Sequence, residues 1–179
     1  MKRKILKSWI TPLLAGAASL TGCAHGFDKT IEFVDRDRYM GTWYVQAGRF
    51  TSLENNAFNS TEIYTWNEPE NRIDIDFHFN RGALDGPVKS IPQKAWIVDS
   101  KTNATWKVSP FWPLKFTYLI LLLDPGYQWT VVGVPSQSYL WVMSRQRQFP
   151  KEETQKILKQ VEALGYSTRD IVFIQHSGT

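Results

Sequence analysis

The chain reads as an all-β protein: an eight-stranded antiparallel up-and-down β-barrel, with one α-helix packed on the outside and a short final strand. Three observations predict this. Ile73, Asp74, Ile75, Asp76, Phe77, His78 and Phe79 alternate apolar and polar side chains, the period of a half-buried strand. Seven other short runs of strand-forming residues are separated by turn residues such as Asn67-Glu68-Pro69, Asp85-Gly86-Pro87, Asp124-Pro125-Gly126 and Pro135-Ser136-Gln137. One stretch near the end carries helical periodicity. Successive short strands joined by tight turns form a meander, and eight of them close a barrel with room for one small ligand.

The elements follow in order. Lys2, Arg3, Lys4 and Lys7 precede an apolar stretch at residues 9–20, which reads as an export signal over residues 1–22. At twelve residues the stretch falls short of the roughly 17–25 needed to span a membrane as a helix. Cys23, the only cysteine, stands behind Leu20, Thr21 and Gly22. Residues 23–29 read as a tether and residues 30–179 as one domain. Four of the 21 basic residues and none of the 17 acidic ones lie in residues 1–22, so the rest of the chain is neutral. The basic balance therefore belongs to the export signal and gives no reason to expect nucleic acid as a partner. A fold with one cysteine stands without an internal disulfide, and a domain of this size buries enough surface to do so.

Strands are predicted at residues 42–50, 60–66, 73–79, 94–99, 105–109, 116–124, 127–134 and 139–145. The run 118–123 is apolar on both faces, so one face lines the interior and the other needs a cover. The helix supplies it. Pro150 suits its first turn and Gly165 its termination, while Ile157, Leu158, Val161 and Leu164 share one face. Glu152 and Lys156 are spaced to pair on another face. A last strand is expected at residues 171–174.

Gly41, Thr42, Trp43 and Tyr44 open the first strand just after Asp37, Arg38, Tyr39 and Met40. Together with Asp124 and Tyr127 at a later turn, and Arg145 at the end of the eighth strand, they resemble the lipocalin signature. The resemblance implies that Gly41 and Trp43 open the barrel, that Trp43 plugs its closed end, and that Arg145 packs across the indole. A guanidinium over an indole contributes about 0.5–2 kcal/mol. Leu20 to Cys23 resembles the bacterial lipobox, which implies diacylglyceryl modification of Cys23 and cleavage before it. An ordinary cleaved signal followed by a free cysteine is the alternative. Signature, helix and lipobox together point to the bacterial outer-membrane lipoprotein lipocalins. Ala24 stands where an aspartate would favour inner-membrane retention, so the resemblance implies an outer-membrane anchor with the barrel facing the periplasm.

Ile75, Phe77 and Phe79 share one face of their strand, as do Trp106 and Val108, and Tyr139, Trp141 and Met143. These eight are the ligand-binding candidates, since aromatic and aliphatic walls suit an alkyl chain. The resemblance points to fatty acids or lysophospholipids, stored or carried in the cell envelope during stress or repair. A barrel simply filled by these side chains, serving as an envelope scaffold, is the alternative. Lys107, Lys115 and Arg49 lie near the mouth, where basic residues are usually solvated, and none is assigned to the site. A lipid-modifying enzyme is the further, less favoured alternative, and the sequence offers little for it: there is no Gly-x-Ser-x-Gly or His-Glu-x-x-His motif, and His25, His78 and His176 are scattered. No catalytic residue, metal or cofactor is assigned. Monomer and homodimer are both compatible with the chain.

Overall fold

The structure, a computed structural model, describes residues 26–178; the expected export signal at residues 1–22, Cys23 and the start of the expected tether lie outside the described residues. Eight strands run around a barrel in chain order: β1 (Gly41–Arg49), β2 (Ala57–Asn67), β3 (Arg72–Arg81), β4 (Val88–Ile97), β5 (Thr105–Ser109), β6 (Phe116–Leu123), β7 (Trp129–Gly133) and β8 (Leu140–Ser144). Each pairs antiparallel with the next. β1 pairs with both β2 and β8, placing Gly41 opposite Tyr64 and Tyr44 opposite Ser144, so the sheet closes on itself. A short helix α1 (Arg36–Tyr39) precedes the barrel and α2 (Lys151–Ala163) follows it; β9 (Val172–Phe173) pairs with β1 on the outside. This is the fold class predicted from the sequence.

Alternation splits the apolar residues into two layers. Trp43, Val45, Tyr64, Ile73, Ile75, Trp106, Val108, Ile120, Val132, Trp141 and Met143 form the interior cluster. Leu119, Leu121, Val131, Leu140 and Val142 belong to a second cluster with Ile157, Val161 and Tyr166. The doubly apolar β6 thus sends Tyr118 and Ile120 inward and Leu119 and Leu121 beneath α2. Gly165, at φ +88°, ends the helix in a conformation that favours glycine. Lys156 pairs with Glu153 at 2.6 Å rather than with Glu152, both spacings being close neighbours on a helix.

Two boundaries shift for physical reasons. β4 begins at Val88, six residues before the expected start, and it includes Pro92. Residues 88–93 pair with β3 alone, β5 meeting only Lys94–Ile97, and a strand with one open side tolerates a proline that lacks an N–H. The expected tether also docks early. Phe27 stacks edge-on against Tyr166 at 4.9 Å, its N–H donates to the Pro135 carbonyl, and Lys29 donates to the Leu164 carbonyl.

The closed end is built around Arg145. Its guanidinium lies 3.6 Å from the Trp43 ring centroid and donates to the carbonyls of Arg38, Tyr39, Met40 and Thr42 at 2.8–3.0 Å and of Tyr127 at 3.4 Å. The Trp43 indole N–H donates to the Tyr39 carbonyl at 2.9 Å. Gly41 has φ +95°, which a side chain would strain, and a Cβ there would sit 3.4 Å from the guanidinium. Tyr127 receives the Asp35 N–H on its hydroxyl at 2.8 Å and the Arg38 guanidinium on its ring at 4.0 Å. One cation therefore ties β8, β1, α1 and the β6–β7 turn together.

Two stability outcomes follow. Trp43→Ala is expected to cost about 3–5 kcal/mol or to prevent folding, as removal of a fully buried large aromatic does. Arg145→Lys is expected to cost less, about 1–2 kcal/mol, because an ammonium neither stacks as a plane nor reaches five carbonyls. Chemical denaturation of both variants measures this, and a neutral Arg145→Lys would remove the stacking from the account of stability.

Candidate functional site

The opposite end of the barrel is the mouth, formed by the end of β1, the start of β2, the β3–β4 and β5–β6 connections, and the start of β8. Two spaces meet there. An apolar pocket of about 470 Å³ is walled by Leu53, Pro110, Phe111, Leu114, Phe116, Tyr118, Val134, Pro135 and Tyr139. A small cavity of about 40 Å³ lies at its floor, lined by Glu54, Glu62, Phe77, Ile91, Gln93, Tyr118 and Trp141; Thr51, Leu53, Pro110 and Tyr118 border both spaces. The first has the size of a small-molecule pocket, whereas the second has room for one or two water molecules at most.

The rim is unusually apolar for a loop. Trp112 is 74%, Leu114 58% and Phe111 51% exposed, and Phe116 beside them is also exposed. Lys115 lies 4.1 Å from the centroid of Trp96 and 5.4 Å from that of Trp112. Contiguous exposed apolar side chains of this kind mark interaction sites.

The floor is acidic. After an irregularity between Phe58 and Thr61, β2 alternates so that Glu62 and Tyr64 point with the buried set, opposite Phe77 and Ile75 of β3. Glu62 is only 8% exposed, and one of its carboxylate oxygens accepts the Tyr64 hydroxyl. Glu54 enters from a single 3₁₀ turn, Ser52–Glu54, folded over the mouth. Its Oε1 accepts the Trp141 indole N–H at 2.8 Å, and its Oε2 accepts the Thr51 hydroxyl at 2.8 Å and the Thr51 N–H at 3.2 Å. Neither carboxyl forms an ion pair among the described residues. Burial pushes the Glu62 carboxyl up to about 7, outweighing its bond from Tyr64, with Glu54 adding repulsion. Burial raises Glu54 as well.

The eight candidate ligand residues divide along the barrel axis. Trp141 and Phe77 line the small cavity, and Phe79 stacks on Phe77 at 5.2 Å. Tyr139 sits on the rim, 36% exposed, just before β8 begins, and walls the larger pocket. Ile75, Trp106, Val108 and Met143 are packed into the interior cluster around Trp43, and neither space at the mouth reaches them. Tyr39 fills that half, with Trp43, Tyr64 and Trp106 at centroid distances of 5.1–5.6 Å. Strand parity identifies residues that face inward but carries no information on depth, and Ile75, Trp106, Val108 and Met143 lie in the packed interior, away from both spaces at the mouth. Glu54, Glu62, Tyr118 and the rim residues were missed. Two signals pointed to them: Glu62 is in phase with Tyr64 and Trp66, and residues 110–114, Pro-Phe-Trp-Pro-Leu, are apolar where a connection is ordinarily polar.

A family model described as a lipocalin-like domain matches residues 34–176. Temperature-induced lipocalin-1 of Arabidopsis thaliana is 28% identical over 146 residues, covering 77% of this chain and 77% of the relative. Outer membrane lipoprotein Blc of Escherichia coli is 28% identical over 147 residues, covering 81% of each chain. Among solved structures, insecticyanin from the tobacco hornworm Manduca sexta superposes with a TM-score of 0.64 at 14% identity, covering 84% of this chain and 85% of that one.

The buried carboxyl makes a prediction with a definite sign. Glu62 holds its proton more tightly folded than unfolded, so its contribution to stability is complete below its ordinary carboxylate pKa and is lost as the pH rises through about 7. Relative to the parent chain, Glu62→Gln is therefore expected to gain up to about 3 kcal/mol between about pH 5 and about pH 8. Urea denaturation at both pH values measures the difference, and parallel pH curves would show that Glu62 titrates normally.

Proposed function

The chain belongs to the lipocalin family, and on that premise we propose that it is a lipid-anchored carrier of fatty acids or lysophospholipids in the bacterial cell envelope. Binding of a small hydrophobic molecule is what membership of the family implies. The observation that carries the proposal to this chain is the apolar pocket of about 470 Å³ at the mouth, with Phe111, Leu114, Phe116 and Tyr139 in its wall. It is large enough for part of an alkyl chain, and its wall offers hydrocarbon contact worth about 25 cal/mol per Å² removed from water. The stacked pair of Tyr118 and Trp141, 5.1 Å apart, separates it from the packed interior.

The anchor rests on Cys23 behind Leu20, Thr21 and Gly22, and on the name of the Escherichia coli relative, outer membrane lipoprotein. Residues 1–22 would be removed as the export signal, and acyl chains on Cys23 would hold the barrel at the periplasmic face of the outer membrane. With a chain docked from Phe27 onward, only a few residues separate the anchor from the barrel. The carrier would thus act close to the bilayer, moving or storing single-chain lipids in stress or repair.

A second reading is favoured by the small volume at the floor. Only about 40 Å³ is left there, which suits a filled barrel acting as an envelope scaffold. Native mass spectrometry of a soluble form beginning after Cys23, followed by titration with a lysophospholipid and a fatty acid, separates the two. Saturable one-to-one lipid supports the carrier; uptake of neither supports the scaffold.

Two further outcomes are expected. Phe111→Glu with Leu114→Glu should weaken lysophospholipid binding at least about tenfold by placing charges in the apolar wall, with little change in melting temperature because both side chains are exposed. Cys23→Ser should move the protein from the membrane fraction to the soluble fraction on cell fractionation, and retention in membranes would refute the anchor.

A further inference from the structure

The walls and the floor of the mouth differ in chemistry, and the difference selects an orientation. The walls are mainly hydrocarbon and aromatic, with Lys115 and a few hydroxyls among them, whereas the floor holds two carboxyls that have no ion-pair partner among the described residues. Glu62, 8% exposed, gives one oxygen to Tyr64, and its other oxygen has no donor among the described residues while the side chain lines the cavity. The Tyr118 hydroxyl, on the boundary between the two spaces, also has no hydrogen-bond partner among the described residues. Both oxygens remain reachable from the cavity rather than sealed in the core, so a donor arriving from the pocket could bond them.

We propose that the floor takes the protonated amine head of a single-chain amphiphile, inserted head first, with its hydrocarbon lying outward along the apolar wall. This rests on the reading of the mouth as a lipid site and names the head group that site would select. A carboxylate head is disfavoured at the floor, where it would meet Glu54 and Glu62 with no cation among the described residues to offset the repulsion, so a fatty acid would bind more weakly and with its head toward solvent. The basic residues nearest the mouth are engaged elsewhere. Arg49 donates to the carbonyls of Gln137, Ser138 and Arg169; Lys107 donates to the Thr117 hydroxyl at 2.6 Å; Lys115 lies over two indoles on the rim. An ammonium supplies three donors to a floor that offers the free Glu62 oxygen, the Tyr118 hydroxyl and the second lone pairs of Glu54. Burial raises the pKa of both carboxyls. Glu54, Glu62, Tyr64 and Tyr118 are the titratable groups around it, and none of the four is cationic.

Titration of the full chain, stripped of copurified lipid on a hydrophobic resin, with dodecylamine, dodecanol and dodecanoate below their micellar concentrations tests this at about pH 8, where the amine is still protonated. Dodecylamine is expected to bind at least about tenfold more tightly than dodecanoate, with dodecanol between them. In Glu62→Gln and, separately, in Glu54→Gln, the ratio of amine to carboxylate affinity should shrink, each variant being first shown to melt cooperatively. Dodecanoate binding as tightly as dodecylamine while dodecanol also binds would overturn the head-group assignment and leave the lipid site standing. Binding of none of the three would overturn both. An amine preference unchanged in both variants would place the head elsewhere and overturn the proposal.

Discussion

The structure depends on one cation resting on one indole. A closed barrel must be sealed at one end, and the chain entering β1 brings to that end a run of carbonyls with no strand partner. Arg145 meets the carbonyls of Arg38, Tyr39, Met40, Thr42 and Tyr127 with a single planar group whose face covers Trp43. A guanidinium carries five donors in a rigid fork and is weakly hydrated, so it enters such a site at lower cost than an ammonium. The polar backbone is satisfied, the indole is buried, and β1 is held between its two neighbours.

That closure decides where a ligand can go. With Trp43 at the base, Tyr39, Tyr64 and Trp106 pack ring against ring beside it, and Ile73, Ile75, Val108 and Met143 are buried in the same cluster. The lower half of the barrel is structural. What space there is lies at the mouth, where the β1–β2 and β5–β6 connections project beyond the strands and bring apolar side chains of their own.

The mouth also concentrates an electrostatic expense in one place. Glu54 and Glu62 are buried without an ion-pair partner among the described residues, an arrangement that lowers stability at neutral pH and that cores ordinarily avoid. Groups perturbed in this way and facing a cleft tend to belong to functional sites. The same two side chains therefore weaken the fold and give an otherwise greasy pocket a chemical preference. Trp141 is the link, since its ring stacks on Tyr118 and its N–H holds Glu54.

Periodicity and turn chemistry determined the barrel, its strand order, the covering helix and the inward face of most strands, because each depends on local alternation and on residues such as Asp124, Pro125 and Gly126 that permit only a turn. Gly41, Trp43 and Arg145 were legible through the resemblance of their motifs to the lipocalin signature, which implies an arginine packed across the indole. Depth along the barrel axis was not legible. Ile75 and Phe77 have the same parity and similar side chains, yet one lies in the packed interior and the other on the mouth cavity. Glu54 lies outside every strand and reaches Trp141 only because its turn folds back over the opening, across 87 positions of chain. Alternation tells which side of a sheet a residue faces. Which inward residues meet empty space, and which buried carboxyl lacks a cation, is decided by strand stagger and loop packing, which exist only once the sheet has closed.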